Sequence, residues 1–340
     1  MLRLRRGMVV GEEPLVVDVA GERRPAWADT SLVGEVREGD EVVVNTEAVD
    51  LELGSGGFDV VHVNLSRGLD GDGLGGSHVM KLNYTSLQHA VDPAEPGGDG
   101  VLTPSAPPVL VLPLHSHLAP AVWAARSVAP ELRLGFVQTG GGALPGLLSS
   151  DVAELRSRGL LDAHLTAAPS YGGEHEAISV PGAFDAAARA LDLEAVIVGP
   201  GPGILGSASR YGHGGMAALD NAHTALALEL PTVLSPRLSG ADPRPRHRGV
   251  SHHTRTVLEL LLAPVEVAVP EGEDAVMAEI APLLGDRHAV VTEPAELDRY
   301  LDAGLPARAM GRGPGEDPLF FAAALASGRR LGRIAGEGGG

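Results

Sequence analysis

The chain has 340 residues, enough for two domains, and its 44 acidic and 26 basic residues give a net charge of −18. This charge argues against nucleic acid or an anionic membrane surface as the main partner. The chain has no cysteine, which excludes disulfides, thiolate metal ligands and cysteine nucleophiles. We find no apolar run that resembles a membrane span or a signal peptide, so we expect a cytoplasmic protein.

Short apolar runs separated by turn signals predict a β-rich domain over residues 1–91. The candidate strands are residues 2–10, 14–19, 41–45, 58–65 and 78–84. We predict no helix between them, and strands at this spacing are typical of a small barrel or sandwich. Residues 92–108, which are rich in Pro, Gly and Asp, are expected to form a linker.

From residue 109 onward, strands alternate with helices, which predicts a Rossmann-like, mostly parallel, doubly wound α/β domain over residues 109–310. The candidate strands are residues 109–112, 132–137, 161–166, 195–198, 231–234, 265–269 and 287–292. The candidate helices are residues 119–128, 147–158, 182–191, 214–228, 252–262 and 295–301. Residues 311–340 are expected to be an extension that ends in a disordered tail from residue 336.

A glycine-rich loop follows the candidate strand 195–198, with Gly199, Gly201 and Gly203. A strand, a glycine loop and a helix together present backbone N–H groups to an anion, so we predict that this loop forms the floor of a binding site. Residues 201–206 also match the dinucleotide pattern G-x-G-x-x-G. Two prolines in the loop lack N–H groups, and no acidic residue follows the next strand to bind a ribose. A tight structural or substrate-shaping loop therefore remains the favoured interpretation.

Histidine, glycine and charged residues follow five of the candidate strands, at residues 115–117, 138–142, 170–176, 199–213 and 242–253. Ligands of open parallel sheets bind beyond the carboxyl ends of the strands. The positions of these residues therefore predict one site at that edge of the sheet.

The segment 242–253 is unusually basic for so acidic a chain. Arg244, Arg246 and Arg248 lie close together and are followed by His252 and His253. Arginine binds phosphate and carboxylate through paired hydrogen bonds, so we predict that these residues hold a small anion. The alternative is a surface loop whose arginines pair with the many acidic residues of the chain.

Histidines after the strands support a second hypothesis. His115 and His117 would point the same way if the first strand of the α/β domain continued through them. With His213, Glu174 or His175, they are possible ligands of zinc or another metal, although their spacing matches no motif such as H-E-x-x-H. His115, His117 and His213 are also the candidate catalytic acid–base groups. Ser116 lacks the G-x-S-x-G context of a nucleophile.

Several unusual runs follow one another along the chain, at residues 43–46, 54–64, 78–85, 212–215 and 242–253. Together they resemble an uncharacterised bacterial family, known as domain of unknown function three-eight-six-six. The resemblance implies a bacterial protein of a single family over nearly the whole chain. It implies no activity and no catalytic residues.

Three hypotheses for function follow. The first is a cytoplasmic enzyme that acts on a small anionic substrate, phosphorylated or nucleotide-like, at the carboxyl edge of the α/β sheet. The second is a metal-dependent hydrolase that uses the histidines at the strand ends. The third is a ligand-binding or sensing protein without catalysis. The sequence identifies no cofactor, and it leaves homo-oligomerisation open.

Overall fold

The computed structural model describes residues 2–53, 56–69, 78–98, 100, 102, 106–207 and 209–338. The chain forms two compact units, Met1–Val91 and Asp92–Gly340. The second unit therefore includes both the segment expected to be a linker and the C-terminal extension.

The first unit contains a closed barrel with the strand order β1-β2-β3-β5-β4. Its strands are β1 (Leu4–Glu12), β2 (Leu15–Val19), β3 (Glu22–Trp27), β4 (Glu41–Asn45) and β5 (Asp59–Asn64). The pairing of β3 with β5 is parallel, and the other pairings are antiparallel. Every second residue of a strand faces the interior, where valines such as Val17, Val42 and Val44 are buried. Of the two architectures predicted for this region, the structure is the barrel.

Parts of the first unit differ from the prediction. The strand β3 was not predicted, since its charged residues show no apolar alternation, and short helices α1 (Thr30–Val33) and α2 (Glu47–Asp50) lie between the strands. The strand predicted at residues 78–84 is wrong, because only β6 (Met80–Lys81) is extended, pairing with β7 (His89–Ala90). Leu82 and Tyr84 have positive φ angles of 52° and 63°, which end the strand. Residues 54–55 and 70–77, on which part of the prediction falls, lie outside the described residues.

The second unit is built on an eight-stranded sheet with the order β11-β10-β9-β12-β8-β13-β16-β17. Its strands are β8 (Val109–Val111), β9 (Leu134–Thr139), β10 (Ala163–Ala167), β11 (His175–Ala177), β12 (Ala195–Pro200), β13 (Thr232–Leu234), β16 (Glu266–Pro270) and β17 (Ala289–Glu293). All its strand pairs are parallel. A separate antiparallel pair, β14 (Leu238–Ser239) with β15 (Gly249–Val250), follows β13 in the chain.

Helices cover both faces of this sheet, so the second unit is a Rossmann-like, doubly wound α/β domain, as predicted. The helices are α3 (Leu118–Val128), α4 (Ser150–Ser157), α5 (Val180–Arg189), α6 (Ala217–Ala227), α7 (His252–Leu260), α8 (Asp274–Leu284), α9 (Leu297–Asp302) and α10 (Pro318–Gly338). Val109 and Val111 of β8 share a buried core with α5, α6, α7 and α8, whereas Leu110 and Leu112 share another with α3, α4, α9 and α10. None of the helices in the described part of the chain is long and apolar enough to cross a membrane.

The helix α10 occupies the region that was expected to be an extension with a disordered tail. It continues to Gly338, and only residues 339–340 of the expected tail lie outside the described residues. It packs closely against α3, because a Cβ atom at Gly328 would lie only 2.0 Å from the carbonyl oxygen of Ala121. A glycine one turn later, Gly332, meets Ala125 in the same way, at 2.6 Å. The two helices therefore touch backbone to backbone.

Candidate functional site

The order of the sheet brings the predicted clusters of polar residues to neighbouring strands. The strands β10, β9, β12, β8 and β13 occupy consecutive positions, and each is followed by one of the five segments singled out in the sequence. Their carboxyl ends lie at one edge because the strands are parallel. The side chains of the five segments nevertheless contact different groups of residues and do not all form one site.

Four histidines form one group, which we call the histidine cluster: His213, His247, His252 and His253. The rings of His213 and His253 stack with centroids 3.6 Å apart and an interplanar angle of 4°. The ring of His252 lies 5.3 Å from that of His213 and 4.5 Å from that of His253. His247 completes the group, with its ring 4.7 Å from that of His252. The loop after β12 and the start of α7 are therefore joined by imidazole rings.

Hydrogen bonds define which ring nitrogens carry lone pairs. Nε2 of His213 lies 3.0 Å from the carbonyl oxygen of Arg210, to which only an N–H can donate. In the uncharged ring, the lone pair of His213 is then on Nδ1. This Nδ1 and Nε2 of His252 are buried and have no hydrogen-bond partner among the described residues. Nδ1 of His247 lies 2.8 Å from the hydroxyl of Ser251, the residue that caps α7.

A buried ion-pair network lies beside the histidine cluster. Arg237, only 3% exposed, donates to Nδ1 of His253 over 3.2 Å, and it pairs with the fully buried Asp242 at 3.3 Å. Arg244 binds both carboxylate oxygens of Asp242 at 2.9 Å, and Arg312 lies 3.4 Å from the same carboxylate. Burial raises the pKa of Asp242, but the hydrogen bonds from Arg244 outweigh this and hold it well below its usual range.

The cluster is electrostatically unfavourable for a protonated imidazole. Burial is the main cause, and it lowers the pKa of His252 to about 4 and that of His247 to about 3. Burial also lowers the pKa values of His213 and His253, and the charge of Arg237 lowers both further. The four rings are therefore uncharged near neutral pH, and the lone pair on Nδ1 of His213 has no partner among the described residues.

The structure separates the three arginines predicted to hold an anion. Arg244 is engaged by Asp242, and Nε of Arg248 donates to the carbonyl oxygen of Asp242 at 2.9 Å. The exposed side chain of Arg246 makes no hydrogen bond or ion pair with any other described residue. Two of the three arginines thus have structural partners, and Arg246 has a guanidinium available to a ligand.

Arg246 lines a cavity of about 380 Å³, which we call the arginine pocket. Its other basic lining residues are Arg210, Arg255 and His252, with hydroxyl groups from Ser209 and Thr256. Arg210 pairs with Glu259, and Arg255 pairs with Glu279 at 2.6 Å. His252 belongs both to this pocket and to the histidine cluster. The sequence analysis included Arg210 in the segment 199–213 but did not single it out as a ligand-binding residue.

The structure does not bring His115 and His117 into this site. They form a 3₁₀ turn, not an extension of β8, so they do not point the same way as expected. Nε2 of His115 lies 2.7 Å from the hydroxyl of Ser149, whereas Nδ1 of His117 lies 3.0 Å from that of Ser235. Both rings are buried, which lowers the pKa of His115 to about 4 and that of His117 to about 3.

The possible metal ligands named from the sequence are likewise separated. Glu174 pairs with Arg156 at 2.7 Å on the surface. Of the residues suggested, only His213 lies in the one group of three metal-ligating side chains that the described residues contain. That group is His213, His252 and His253, whose ligand atoms all lie within 4.8 Å of one another. His213 is therefore grouped with His252 and His253, the two histidines that the sequence analysis had predicted to bind an anion.

The glycine loop is packed against a second glycine-rich loop, the one that follows β9. A Cβ atom at Gly201 would lie 2.3 Å from Nε2 of Gln138, and one at Gly142 would lie 2.3 Å from the carbonyl oxygen of Gly201. A Cβ atom at Gly199 would lie 2.9 Å from the Cβ atom of Leu112, the residue after β8, and Gly203 has a φ angle of +83°. These contacts account for the glycines through packing of the chain against itself, which agrees with the structural interpretation of the loop.

Together, these features define a class: a doubly wound α/β protein with a β-barrel unit, whose imidazole cluster and arginine-lined cavity follow the carboxyl ends of β12 and β13. Residues 25–328 match the family described as "Protein of unknown function (DUF3866)", and the chain belongs to that family. No curated protein and no solved structure matches the chain.

Proposed function

We propose that this protein is an enzyme that acts on a small phosphate- or carboxylate-bearing molecule held in the arginine pocket. The observation that carries the proposal is Arg246, whose guanidinium lines the pocket without a partner among the described residues. A guanidinium offers a fork of N–H donors that fits the oxygens of phosphate or carboxylate.

The composition of the pocket supports an anion as its ligand. The chain carries a net charge of −18, yet three arginines and one histidine meet here against a single acidic lining residue, Glu259. The pairs Arg210–Glu259 and Arg255–Glu279 neutralise two of the arginines, which leaves the charge of Arg246 uncompensated. A cavity of about 380 Å³ lies within the size range of small-molecule sites.

The position of His252 favours catalysis over binding alone. Its ring lines the pocket, and its Nε2 is buried without a hydrogen-bond partner among the described residues. A substrate whose anionic group is bound by Arg246 would lie against the ring of His252. The lone pair of an uncharged imidazole accepts a proton from a hydroxyl, an amine or a water molecule, which is general base catalysis.

A thermal-shift screen with matched variants tests the proposal. The panel contains inorganic phosphate, sugar phosphates, nucleotides and small dicarboxylates, and each stabilising compound is then incubated with the protein and assayed for conversion. A ligand at one hundred times its Kd adds roughly 2.7 kcal/mol of stability, so binding is readily detected.

The variant Arg246→Ala should lose the shift, whereas Arg5→Ala, which removes one exposed arginine from the barrel, should keep it. An equal shift in Arg246→Ala, or none with any compound in the wild type, contradicts the anion pocket. Tight binding without conversion contradicts the enzymatic part and favours a binding or sensing protein.

A further inference from the structure

We propose that His213, His252 and His253 bind one divalent transition metal ion of the zinc class, adjacent to the arginine pocket. This metal site deepens the proposed function, because an ion held by His252 would use the lone pair assigned above to a general base and would place a Lewis acid beside the anion that Arg246 holds, in place of that base. It rests on the geometry of the histidines, and it is tested separately from the anion pocket.

The spacing of the three rings is the first observation. Their ligand atoms all lie within 4.8 Å of one another. Nitrogen ligands about 2.0–2.1 Å from a tetrahedral zinc ion lie about 3.4 Å apart, so the three nitrogens must move closer together. The parallel rings of His213 and His253 must also turn out of their stack, so that both lone pairs point at one ion. Imidazole is a ligand that suits zinc and its neighbours in the first transition row, and the chain offers no thiolate to compete.

The unpartnered nitrogens are the second observation, and it is independent of spacing. Nδ1 of His213 and Nε2 of His252 are buried without a hydrogen-bond partner among the described residues. A buried polar atom without a partner costs free energy, and a bound ion would remove that cost. The opposite nitrogen of His213 faces the carbonyl oxygen of Arg210. Histidine ligands of metals are commonly oriented by such a hydrogen bond to a backbone carbonyl.

Gly215 is the third observation. A Cβ atom at this position would lie 2.8 Å from Nδ1 of His253 and 3.1 Å from Nδ1 of His213. The residue lies in a 3₁₀ turn, Gly214–Met216, so its backbone does not itself require glycine. The glycine therefore keeps the space beside both nitrogens free of a side chain, which is the space that an ion would need.

Arg237 sets a condition on the site. It donates to Nδ1 of His253, so an ion bound at that nitrogen must displace this hydrogen bond. Asp242 and Met310 hold the other end of the guanidinium, at 3.3 Å each, and can retain it after the displacement. An anion bound by Arg246 would offset the added positive charge and supply a ligand for the open fourth position. We therefore expect metal and anion to strengthen each other's binding.

Metal titration of the full-length chain tests the site. Protein freed of metal with a chelator is titrated with Zn²⁺ against a chromophoric competitor, and with Co²⁺, whose visible absorption reports tetrahedral coordination. We expect one ion per chain. The variants His213→Ala and His252→Ala should each weaken binding by about 100-fold or more. Gly215→Ala removes no ligand and should weaken binding similarly, whereas His175→Ala on the edge strand β11 should leave it unchanged.

The site is overturned if the wild type binds no ion, or if folded His213→Ala and Gly215→Ala variants bind Zn²⁺ like the wild type. Repeating the titration with inorganic phosphate separates the two proposals. Zinc binding in a chain that shows no Arg246-dependent binding of phosphate supports the metal site and contradicts the anion pocket. Phosphate binding that depends on Arg246 in a chain that takes up no zinc supports the pocket and contradicts the metal site.

Discussion

Nη1 of Arg237 donates a hydrogen bond to Nδ1 of His253 over 3.2 Å, and both side chains are buried. Through this contact, the ion-pair network around Asp242 meets the histidine cluster. The charge of Arg237 disfavours protonation of the cluster, and the carboxylate of Asp242 compensates that charge. A site of uncharged imidazoles is thereby built next to a cavity that carries positive charge.

Replacing Arg237 should destabilise the protein strongly. Arg237→Met leaves the fully buried carboxylate of Asp242 with fewer partners, and breaking a buried ion pair typically costs about 3–5 kcal/mol. Arg244 and Arg312 still contact Asp242, so we expect the lower end of that range. Urea denaturation measures the change. The control is Arg299→Met at an exposed ion pair with Glu296, which should cost less than about 1 kcal/mol. Equal stability of the two variants would refute the network's structural role.

The contact between α10 and α3 predicts opposite effects for two glycines of the same helix. Gly328→Ala places a methyl group against the backbone of Ala121, and such overpacking should destabilise the protein by about 1–3 kcal/mol. Gly336→Ala adds a methyl group where nothing lies within 4 Å, and it should be neutral or stabilise the helix by up to about 1 kcal/mol. Thermal unfolding compares the two variants. Equal stabilities of the two variants would contradict the close backbone contact between α10 and α3.

Buried histidines of the α/β unit predict acid sensitivity. Burial lowers the pKa of His117 to about 3, that of His115 to about 4 and that of His164 to about 3. Above about pH 6.5 these groups are uncharged in both the folded and the unfolded state and give no pH dependence. As the pH falls from about 6.5 toward 4, the unfolded chain binds more protons than the folded chain, so stability is lost.

The variant His117→Asn tests this dependence. Each buried histidine should contribute about 1.4 kcal/mol per pH unit within the window, so the variant's free energy of unfolding should fall less steeply by that amount. Urea denaturation at several pH values measures the slope. Ser157→Ala, which removes no titratable group from the exposed end of α4, is the control and should keep the wild-type slope. If the free energy of unfolding of His117→Asn falls with pH as steeply as that of the wild type, the result contradicts the buried, uncharged state of His117.

The alternation of the α/β unit could be predicted because its strands are buried on both faces. Continuous apolar runs such as 195–198 stand out from the polar loops, and the helices between them are regular. The helices α8 and α10 were missed for local reasons: Pro282 lies inside α8, and α10 contains several glycines. In α10 the glycines lower helix propensity, yet they permit the contact with α3 that stabilises the helix.

The candidate site was harder to predict, since it depends on which loops meet in space. The sequence identified His213, Arg246, His252 and His253 as candidates one by one. However, it grouped His213 with His115 and His117 as metal ligands, on the assumption that the first strand of the α/β domain continued through those two histidines. Nothing in the sequence marks Arg237 as buried, because arginines are mostly exposed. Likewise, Arg244, Arg246 and Arg248 look equivalent in the sequence. They differ only because the carboxylate and carbonyl of Asp242 engage two of them.

Calorimetric titration of inorganic phosphate into the wild type and Arg246→Ala tests the central claim most directly. A hydrogen-bonded charge of this kind contributes about 1.5–3 kcal/mol, so the variant should bind phosphate at least about 10-fold more weakly. Arg246→Lys should retain part of the affinity because it keeps the charge but not the fork of donors, and Arg5→Ala should bind like the wild type. Equal affinity of the wild type and Arg246→Ala would contradict the account.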